Sequence, residues 1–167
     1  MRAGSTTYDA PALRRYLREH IPIAAAMDID VRAADMHSVT LGAPLAPNIN
    51  VHETAFGGSV AALAMLAAWS LLHLRLQAAG IANRLVIQRS TIDYGKPIAG
   101  EFTARATLAE PGNWESFMTF LQRRGKARIA VHATLEYEGH IAARFAGEFV
   151  ALAAAAPPSF SEATHVR

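Results

Sequence analysis

The sequence contains no cysteine and only 2 tryptophans. Without thiols the chain forms no disulfide, zinc–thiolate site, iron–sulfur cluster or cysteine nucleophile. Charge is also scarce, because charged residues make up 18% of the 167 residues, and 16 basic against 14 acidic side chains leave a net charge of +2. A balance so close to zero is not typical of a nucleic-acid binder, and we predict no nucleic-acid partner.

Export and membrane segments are not evident either. The first residues have no long apolar core, and the apolar run at 21–27 is interrupted by Pro22 and stops at Asp28, which excludes a typical signal peptide. The most apolar stretch, at 60–74, is shorter than the roughly 20 residues of a membrane span. It also contains Ser70 and His73. We therefore expect a cytoplasmic protein with no membrane association.

The chain is rich in apolar side chains, at 51%, which suits one domain with one sizeable core. Residues 60–79 have a helical composition, are apolar in every direction and precede Gly80, a residue typical of helix ends. A helix without a polar face must be enclosed, and a curved sheet is the simplest enclosure.

Alternating apolar and polar residues predict the strands of that sheet. The predicted strands are 27–34, 38–45, 85–94, 101–108, 127–137 and 140–151. Short helices are predicted after Asp9 and at 114–124, the second with Asn113 as its N-cap. The fold class is therefore α+β, with an antiparallel six-stranded sheet wrapped around one long central helix and a short N-terminal helix, the hotdog arrangement. We divide the chain into an N-terminal helical segment at 1–26, a hotdog domain at 27–152 and a flexible tail at 153–167.

One motif connects the first strands to the long helix. Asn50-Val51-His52-Glu53-Thr54-Ala55-Phe56-Gly57-Gly58-Ser59 resembles the pattern Asn-x-x-Gly-Thr-x-Phe-Gly-Gly-Ser of the YiiD C-terminal-domain family of thioesterases. Segments 92–97, 124–129 and 145–150 also resemble that family. The resemblance implies hydrolysis of an acyl thioester carried by coenzyme A (CoA) or by a carrier protein. It also implies an assembly of more than one copy, which exposed sheet edges favour too, so we expect a homodimer or a dimer of dimers.

The glycine pair of this motif is the candidate site for the thioester carbonyl. The first N–H groups of a helix are free and carry partial positive charge, which suits an oxyanion. Because Gly57 and Gly58 have no Cβ, we place the carbonyl near the N–H of Gly58 or Ser59. The alternative is that the glycines only let the loop turn into a packed helix. Thr54 and Phe56 complete the predicted substrate-binding surface.

Three polar side chains of the loop are candidates for activating water. Asn50 either orients a water or satisfies the local turn. Glu53 replaces the family's glycine and is either a base or nucleophile, or a solvated charge. His52 is either a base at neutral pH or a surface residue. Related hotdog thioesterases carry an acid on the helix that would fall near Met65, so the catalytic carboxylate is either Glu53 or absent.

Residues outside the loop complete the prediction. Tyr94 and Lys96 either line the substrate tunnel or merely end a strand. Arg124 and Lys126 belong to the densest basic run, which either binds substrate phosphates or is simply solvated. No histidines have metal-ligand spacing and no glycine-rich nucleotide loop occurs, so we predict no metal and no cofactor.

The sequence thus predicts an acyl-thioester hydrolase whose acyl tunnel is lined by apolar helix residues. The missing helix carboxylate favours an alternative, a non-catalytic acyl-CoA-binding or sensing protein on the same fold. A dehydratase of this fold would need a His-Phe-Pro-Gly-like motif and an acid on the central helix, and the sequence has neither.

Overall fold

A computed structural model describes residues 7–154 of the chain. The predicted tail therefore lies, beyond Ala154, outside the described residues. The helices are α1 (Ala10–His20), α2 (Pro22–Ala26), α3 (Gly57–Ala78) and α4 (Asn113–Arg124), and a 3-10 turn covers Ala46–Asn48. The strands are β1 (Asp30–Ala34), β2 (Ser38–Ala43), β3 (Asn83–Tyr94), β4 (Phe102–Leu108), β5 (Lys126–Tyr137) and β6 (His140–Ala153).

The strands form one 6-stranded sheet in the order β1-β2-β4-β5-β6-β3, and every neighbouring pair is antiparallel. This confirms the predicted hotdog arrangement. β3 precedes β4 in the chain but pairs with β6, from Asn83 opposite Ala153 to Tyr94 opposite Ala143. β3 therefore occupies one edge of the sheet, and its outer side is unpaired within the described chain.

The central helix α3 begins at Gly57, earlier than its composition predicted, and Gly80 follows its end at a left-handed φ of 68°. Leu63, Ala67 and Leu71 are fully buried against the sheet. By length and composition α3 resembles a membrane span, but 61% of its most apolar window is buried inside the domain. It is the core helix.

The enclosure that we expected for α3 is incomplete. Ala62, Met65 and Trp69 lie on one face of the helix and stay partly exposed. The sheet of one chain covers only part of the circumference of α3. The helix is therefore apolar on every face but buried on only some of them.

The N-terminal segment forms helices that pack beside α3. Asp9 caps α1 by accepting a hydrogen bond from the N–H of Ala12 at 3.1 Å. Pro22 then separates α1 from α2, since proline lacks the N–H that would continue the first helix. The ring of Tyr16 stacks on His73 of α3 at 4.9 Å between centroids, which attaches α1 to the central helix.

The helix α4 corrects one capping prediction. Its N-cap is Gly112 and not Asn113, which is the first helical residue and donates from its side-chain amide to Glu110 at 3.0 Å. Its C-terminus agrees with the sequence, because Gly125 has a left-handed φ of 69°. Trp114 of α4 packs against the guanidinium group of Arg75 near the C-terminus of α3, at 4.2 Å.

Candidate active site

A cavity of about 330 Å³ lies at the N-terminus of α3. Its walls come from the loop before α3, the first turn of α3, the end of β3 with the residues after it, and β6. They comprise Ala55, Gly57, Val60, Tyr94, Gly95, Lys96, Pro97, Ile98 and Ala143. The structure thus brings together Gly57, Tyr94 and Lys96, three residues that the sequence assigned to substrate binding.

The first turn of α3 has free N–H groups and borders this cavity through Gly57. The first intrahelical bond runs from the N–H of Val60 to the carbonyl of Phe56 at 3.0 Å, so the N–H groups of Gly57, Gly58 and Ser59 have no intrahelical acceptor. The N-cap residue, Phe56, has no side-chain acceptor to offer them. An oxyanion placed there would meet both hydrogen-bond donors and the positive end of the helix dipole.

The glycines of the pair have different surroundings. A Cβ at Gly57 would make only ordinary contact with the Tyr94 ring, at 3.5 Å. A Cβ at Gly58 would lie 2.4 Å from Cε1 of Phe56, because that ring folds back over the helix start. The exposed ring of Phe56 can rotate away from a Cβ at Gly58, so this contact does not by itself require glycine there, whereas Gly57 lines the cavity.

Tyr94 ties the end of β3 to the start of α3. Its hydroxyl donates a hydrogen bond to the carbonyl oxygen of Gly57 at 2.9 Å, and the residue is 55% exposed. Lys96 is exposed, and its backbone N–H bonds the carbonyl of Ala142 at 3.0 Å. Its ammonium group supplies positive charge at the cavity rim, where it suits an anionic substrate.

The side chain of Asn50 holds the loop in shape. Its Oδ1 accepts hydrogen bonds from the N–H of His52 at 2.8 Å and of Thr54 at 3.2 Å, while Nδ2 lies 3.1 Å from Oγ1 of Thr54. These are the contacts of an Asx turn. Asn50 does not line the cavity, so the structure places it in the turn, with Thr54 as its partner.

Glu53 and His52 lie at the exposed tip of this loop, and neither lines the cavity within one chain. Glu53 has a φ of 62°, a left-handed conformation that costs a residue with a side chain about 1–2 kcal/mol. This conformation explains why glycine is typical of the family at this position. α3 has no carboxylate, and the position at which the sequence comparison expected one is Met65.

The basic run lies far from this cavity in the same chain. Lys126 pairs with Leu152 of β6, whereas Tyr94 pairs with Ala143, so about 30 Å of strand separates the ends of the sheet. Arg124 and Lys126 line another cavity, of about 570 Å³, beside the exposed ring of Phe120. The structure does not bring them to the start of α3 within one protomer.

A further cavity, which we call the α3 groove, has a volume of about 400 Å³ and follows the half-exposed face of α3. Its walls are Ile21, Ile23, Gly58, Ala61, Ala62, Met65, Leu66, Trp69, Ile87 and Phe149. The sequence predicted an apolar tunnel along the helix. It did not predict which helix residues line the tunnel, or that Ile21 and Ile23 of the N-terminal segment form one of its walls. The helical spacing of Gly58, Ala62, Met65 and Trp69 was the available signal.

The histidines and acidic residues are dispersed. Within residues 7–154 no group of 3 or more such side chains is close enough to hold a metal ion. His73 is half-buried against the rings of Tyr16 and Trp69, and burial lowers its pKa from the usual 6.5.

Known proteins resemble this chain in sequence and in fold. A family model described as "Putative thioesterase (yiiD_Cterm)" matches residues 10–153. A protein of unknown function from Chlorobaculum tepidum has a similar structure, with a TM-score of 0.83 and 29% identity over 91% of this chain and 100% of that chain. A "putative thioesterase from Shewanella oneidensis" has a TM-score of 0.77 and 26% identity, over 86% of this chain and 96% of that chain. A "Probable Thioesterase" from Pseudomonas aeruginosa is similar in fold, with a TM-score of 0.77 and 20% identity over 90% of this chain and 100% of that chain.

Proposed function

The chain belongs to the YiiD C-terminal-domain family of thioesterases, and from this premise we propose that it hydrolyses acyl thioesters at the N-terminus of α3. The observation that carries this proposal is the cavity at which free helix N–H groups meet Tyr94 and Lys96. The thioester carbonyl accepts hydrogen bonds from the first turn, and these strengthen as negative charge develops on its oxygen. Gly57 faces the cavity, so its N–H joins those of Gly58 and Ser59 as a candidate donor.

Glu53 is our candidate for the group that activates water. It is the only carboxylate of the loop, and it lies close in sequence to Ala55, which lines the cavity. In this role Glu53 takes a proton from a water molecule that attacks the carbonyl carbon. The carbon–sulfur bond then breaks, and Glu53 returns the proton to the departing sulfur, which leaves as the thiol of the carrier. Asn50 acts as a positioning residue, because its side chain fixes the turn that carries Glu53. His52, adjacent and exposed, is the alternative base.

We propose that the working assembly is a homodimer formed along the free edge of β3. This edge is 12 residues long, and an unpaired edge of that length readily pairs with another strand. In an antiparallel pair of identical strands, the Lys126 end of one sheet lies beside the Tyr94 end of the other. The partner's Arg124 and Lys126 are then our candidates for binding the phosphates of CoA or of a carrier's phosphopantetheine, and we expect this assembly in the cytoplasm.

The experiment that tests the helix N-terminus compares Gly57→Pro with Gly57→Ala. Phe56 is extended, with φ −61° and ψ 131°, so proline fits the first position of α3 and removes the N–H without breaking the helix. Alanine keeps the N–H and serves as the matched control. We expect thiol release from acyl-CoA to be at least about tenfold slower in the proline variant. Equal rates would exclude the Gly57 N–H from the site.

A second candidate function is acyl-CoA binding without turnover. The absence of any carboxylate on α3 favours it, because Glu53 is then the only acid that the motif loop and the helix offer. Tight acyl-CoA binding by the wild-type protein, with no thiol release from either CoA or carrier thioesters, would decide for this alternative.

A further inference from the structure

We propose that Tyr94 is a positioning residue for the reaction, because its hydroxyl holds the carbonyl oxygen of Gly57 and thereby strengthens the N–H of Gly58 as a donor to the thioester carbonyl. This inference rests on the proposed function, since it assigns a role at the same site. The sequence suggested Tyr94 only as a wall of the substrate tunnel. The structure adds a path by which this side chain acts on the reaction through the backbone.

The path is a single peptide group. The carbonyl of Gly57 and the N–H of Gly58 belong to the same planar unit, whose C–N bond has partial double-bond character. A hydrogen bond accepted by the oxygen withdraws electron density from the nitrogen, so the N–H becomes a stronger donor. This is the cooperative strengthening that occurs along chains of hydrogen bonds. The Tyr94 hydroxyl supplies such a bond at 2.9 Å.

The carbonyl oxygen of Gly57 has room for this extra donor. Gly57 is the first residue of α3, and the helix pattern gives its carbonyl an N–H from one turn further along. A carbonyl oxygen has two lone pairs, so it accepts the phenol hydroxyl in addition to the helix bond. The first peptide group of the helix is therefore polarised from both the helix and the sheet.

The phenol ring is held between the sheet and the helix start. Tyr94 is the last residue of β3, and the chain after it is fixed by the N–H of Lys96, which bonds the carbonyl of Ala142 at 3.0 Å. The ring lies against Gly57, where an added Cβ would be 3.5 Å from the ring atoms. A donor fixed in this way needs no reorganisation as negative charge develops on the substrate.

Direct donation from Tyr94 to the substrate is a different role, which the geometry does not favour. A phenol has one hydroxyl hydrogen, and in Tyr94 that hydrogen is directed to the oxygen of Gly57. It cannot serve the thioester carbonyl at the same time. The effect of Tyr94 on the reaction therefore passes through the peptide group to Gly58.

The expected size of the effect separates the two roles. A backbone or side-chain donor to an oxyanion contributes about 10²–10³ in rate, and a cooperative partner strengthens a hydrogen bond by about 10–30%. Together these figures predict that loss of the Tyr94 hydroxyl slows the reaction about two- to eightfold. A hydroxyl that itself donated to the oxyanion would cost about 100-fold or more.

The first experiment compares kcat and KM for acyl-CoA in the wild-type protein, in Tyr94→Phe and in Tyr16→Phe. The control removes a hydroxyl from α1, outside the cavity. We expect Tyr94→Phe to lower kcat about two- to eightfold at unchanged KM, because the affected hydrogen bond strengthens only in the transition state. An unchanged kcat, a rise in KM alone or a loss of about 100-fold would each overturn the proposal.

The second experiment keeps the shape of the side chain and changes only its strength as a donor. Incorporation of 3-fluorotyrosine at position 94 gives a phenol that donates more strongly than tyrosine. At mildly acidic pH, kcat should decrease in the order fluorotyrosine, tyrosine, phenylalanine. Light scattering checks that the three proteins have the same assembly. If Tyr94 were only a mechanical tie, fluorotyrosine and tyrosine would give equal rates, and that result would reject the proposal.

The third measurement follows the Gly58 amide itself and needs no turnover. In protein labelled with 15N-glycine, the Gly58 nitrogen resonance should move upfield in Tyr94→Phe and downfield with fluorotyrosine. A resonance that does not respond would overturn the inference. If wild-type protein hydrolyses thioesters and Tyr94→Phe is equally fast, the inference is wrong and the hydrolase function stands. If nothing is hydrolysed, but the resonance shifts and Tyr94→Phe weakens acyl-CoA binding, the hydrolase function is wrong and Tyr94 still strengthens the donor.

Discussion

At the residue scale, Glu53 combines a strained backbone with a chemically useful side chain. It has a left-handed φ where the family pattern has glycine, and it is the only acid of the motif loop. Strain of this kind, of about 1–3 kcal/mol, persists mainly at functional sites. The conformation itself follows from the turn, since Asp28 and Glu138 also have left-handed φ values, of 54° and 48°. The role proposed for the carboxylate therefore rests on its place in the motif loop.

Replacement of Glu53 tests that role. Glu53→Gly should raise the free energy of unfolding by up to about 1 kcal/mol, since glycine adopts a left-handed φ without a steric cost. The same variant should lower kcat for thioester hydrolysis about tenfold or more through loss of the base. Denaturant unfolding and thiol release measure the two effects. The control Glu53→Gln keeps the strain and loses only the charge, and full activity in both variants would remove Glu53 from the mechanism.

At the element scale, a stack of aromatic rings joins α1 to α3. Tyr16 and His20 of α1 stack at 4.3 Å, and Tyr16 also stacks on His73 of α3 at 4.9 Å. His73 is the titratable member whose burial lowers its pKa below 6.5. The contact between these helices therefore depends on a neutral imidazole, and it also supports the indole of Trp69.

This arrangement predicts a pH dependence of stability. Above pH 6.5 His73 is neutral in both folded and unfolded chains and makes no contribution. As the pH falls below that value, His73 binds a proton more readily in the unfolded chain than in the folded chain, so the free energy of unfolding decreases. Denaturant unfolding between pH 8 and pH 5 should show a smaller decrease in His73→Phe, which keeps the ring packing. An identical pH dependence in both proteins would exclude His73 as the cause.

At the scale of the whole molecule, the unpaired edge of β3 and the half-buried face of α3 adjoin each other, since Ile87 and Met65 line the same groove. The outer edge of β3 is unpaired in the described chain, Val86 is 44% exposed and Tyr94 is 55% exposed. The nearby face of α3 is only half-buried, and the basic run lies at the wrong end of the sheet for its own cavity. Pairing of a second copy along β3 would satisfy all of these at once.

A charge on this edge should separate the copies. Val86→Glu places a charged side chain on this edge in each copy, and charged edge residues oppose strand pairing. We expect a shift toward monomer in light scattering, with a parallel loss of thioester hydrolysis. Val86→Thr keeps the β-branched shape without the charge and should stay dimeric. A monomeric wild-type protein, or a fully active monomeric variant, would contradict the proposed assembly.

The sequence alone determined the elements of this protein and the motif that carries its chemistry. Alternation at 127–137 and 140–151 predicted β5 and β6 because a strand in a half-buried sheet turns every second side chain inward. The motif at 50–59 predicted the family and a long helix after it, but that helix begins at Gly57 and not at Val60. Local patterns contain this information, since they record which face of an element is buried.

Only the tertiary structure decided which elements became neighbours. β3 pairs with β6 and not with β4, which brings Tyr94 to Gly57 and leaves Lys126 at the other end of the sheet. Because α3 is apolar on every face, its sequence did not show that Ala62, Met65 and Trp69 are the residues that line the groove. Periodicity shows that a face is covered but not what covers it, because strand order depends on packing between residues far apart in the chain.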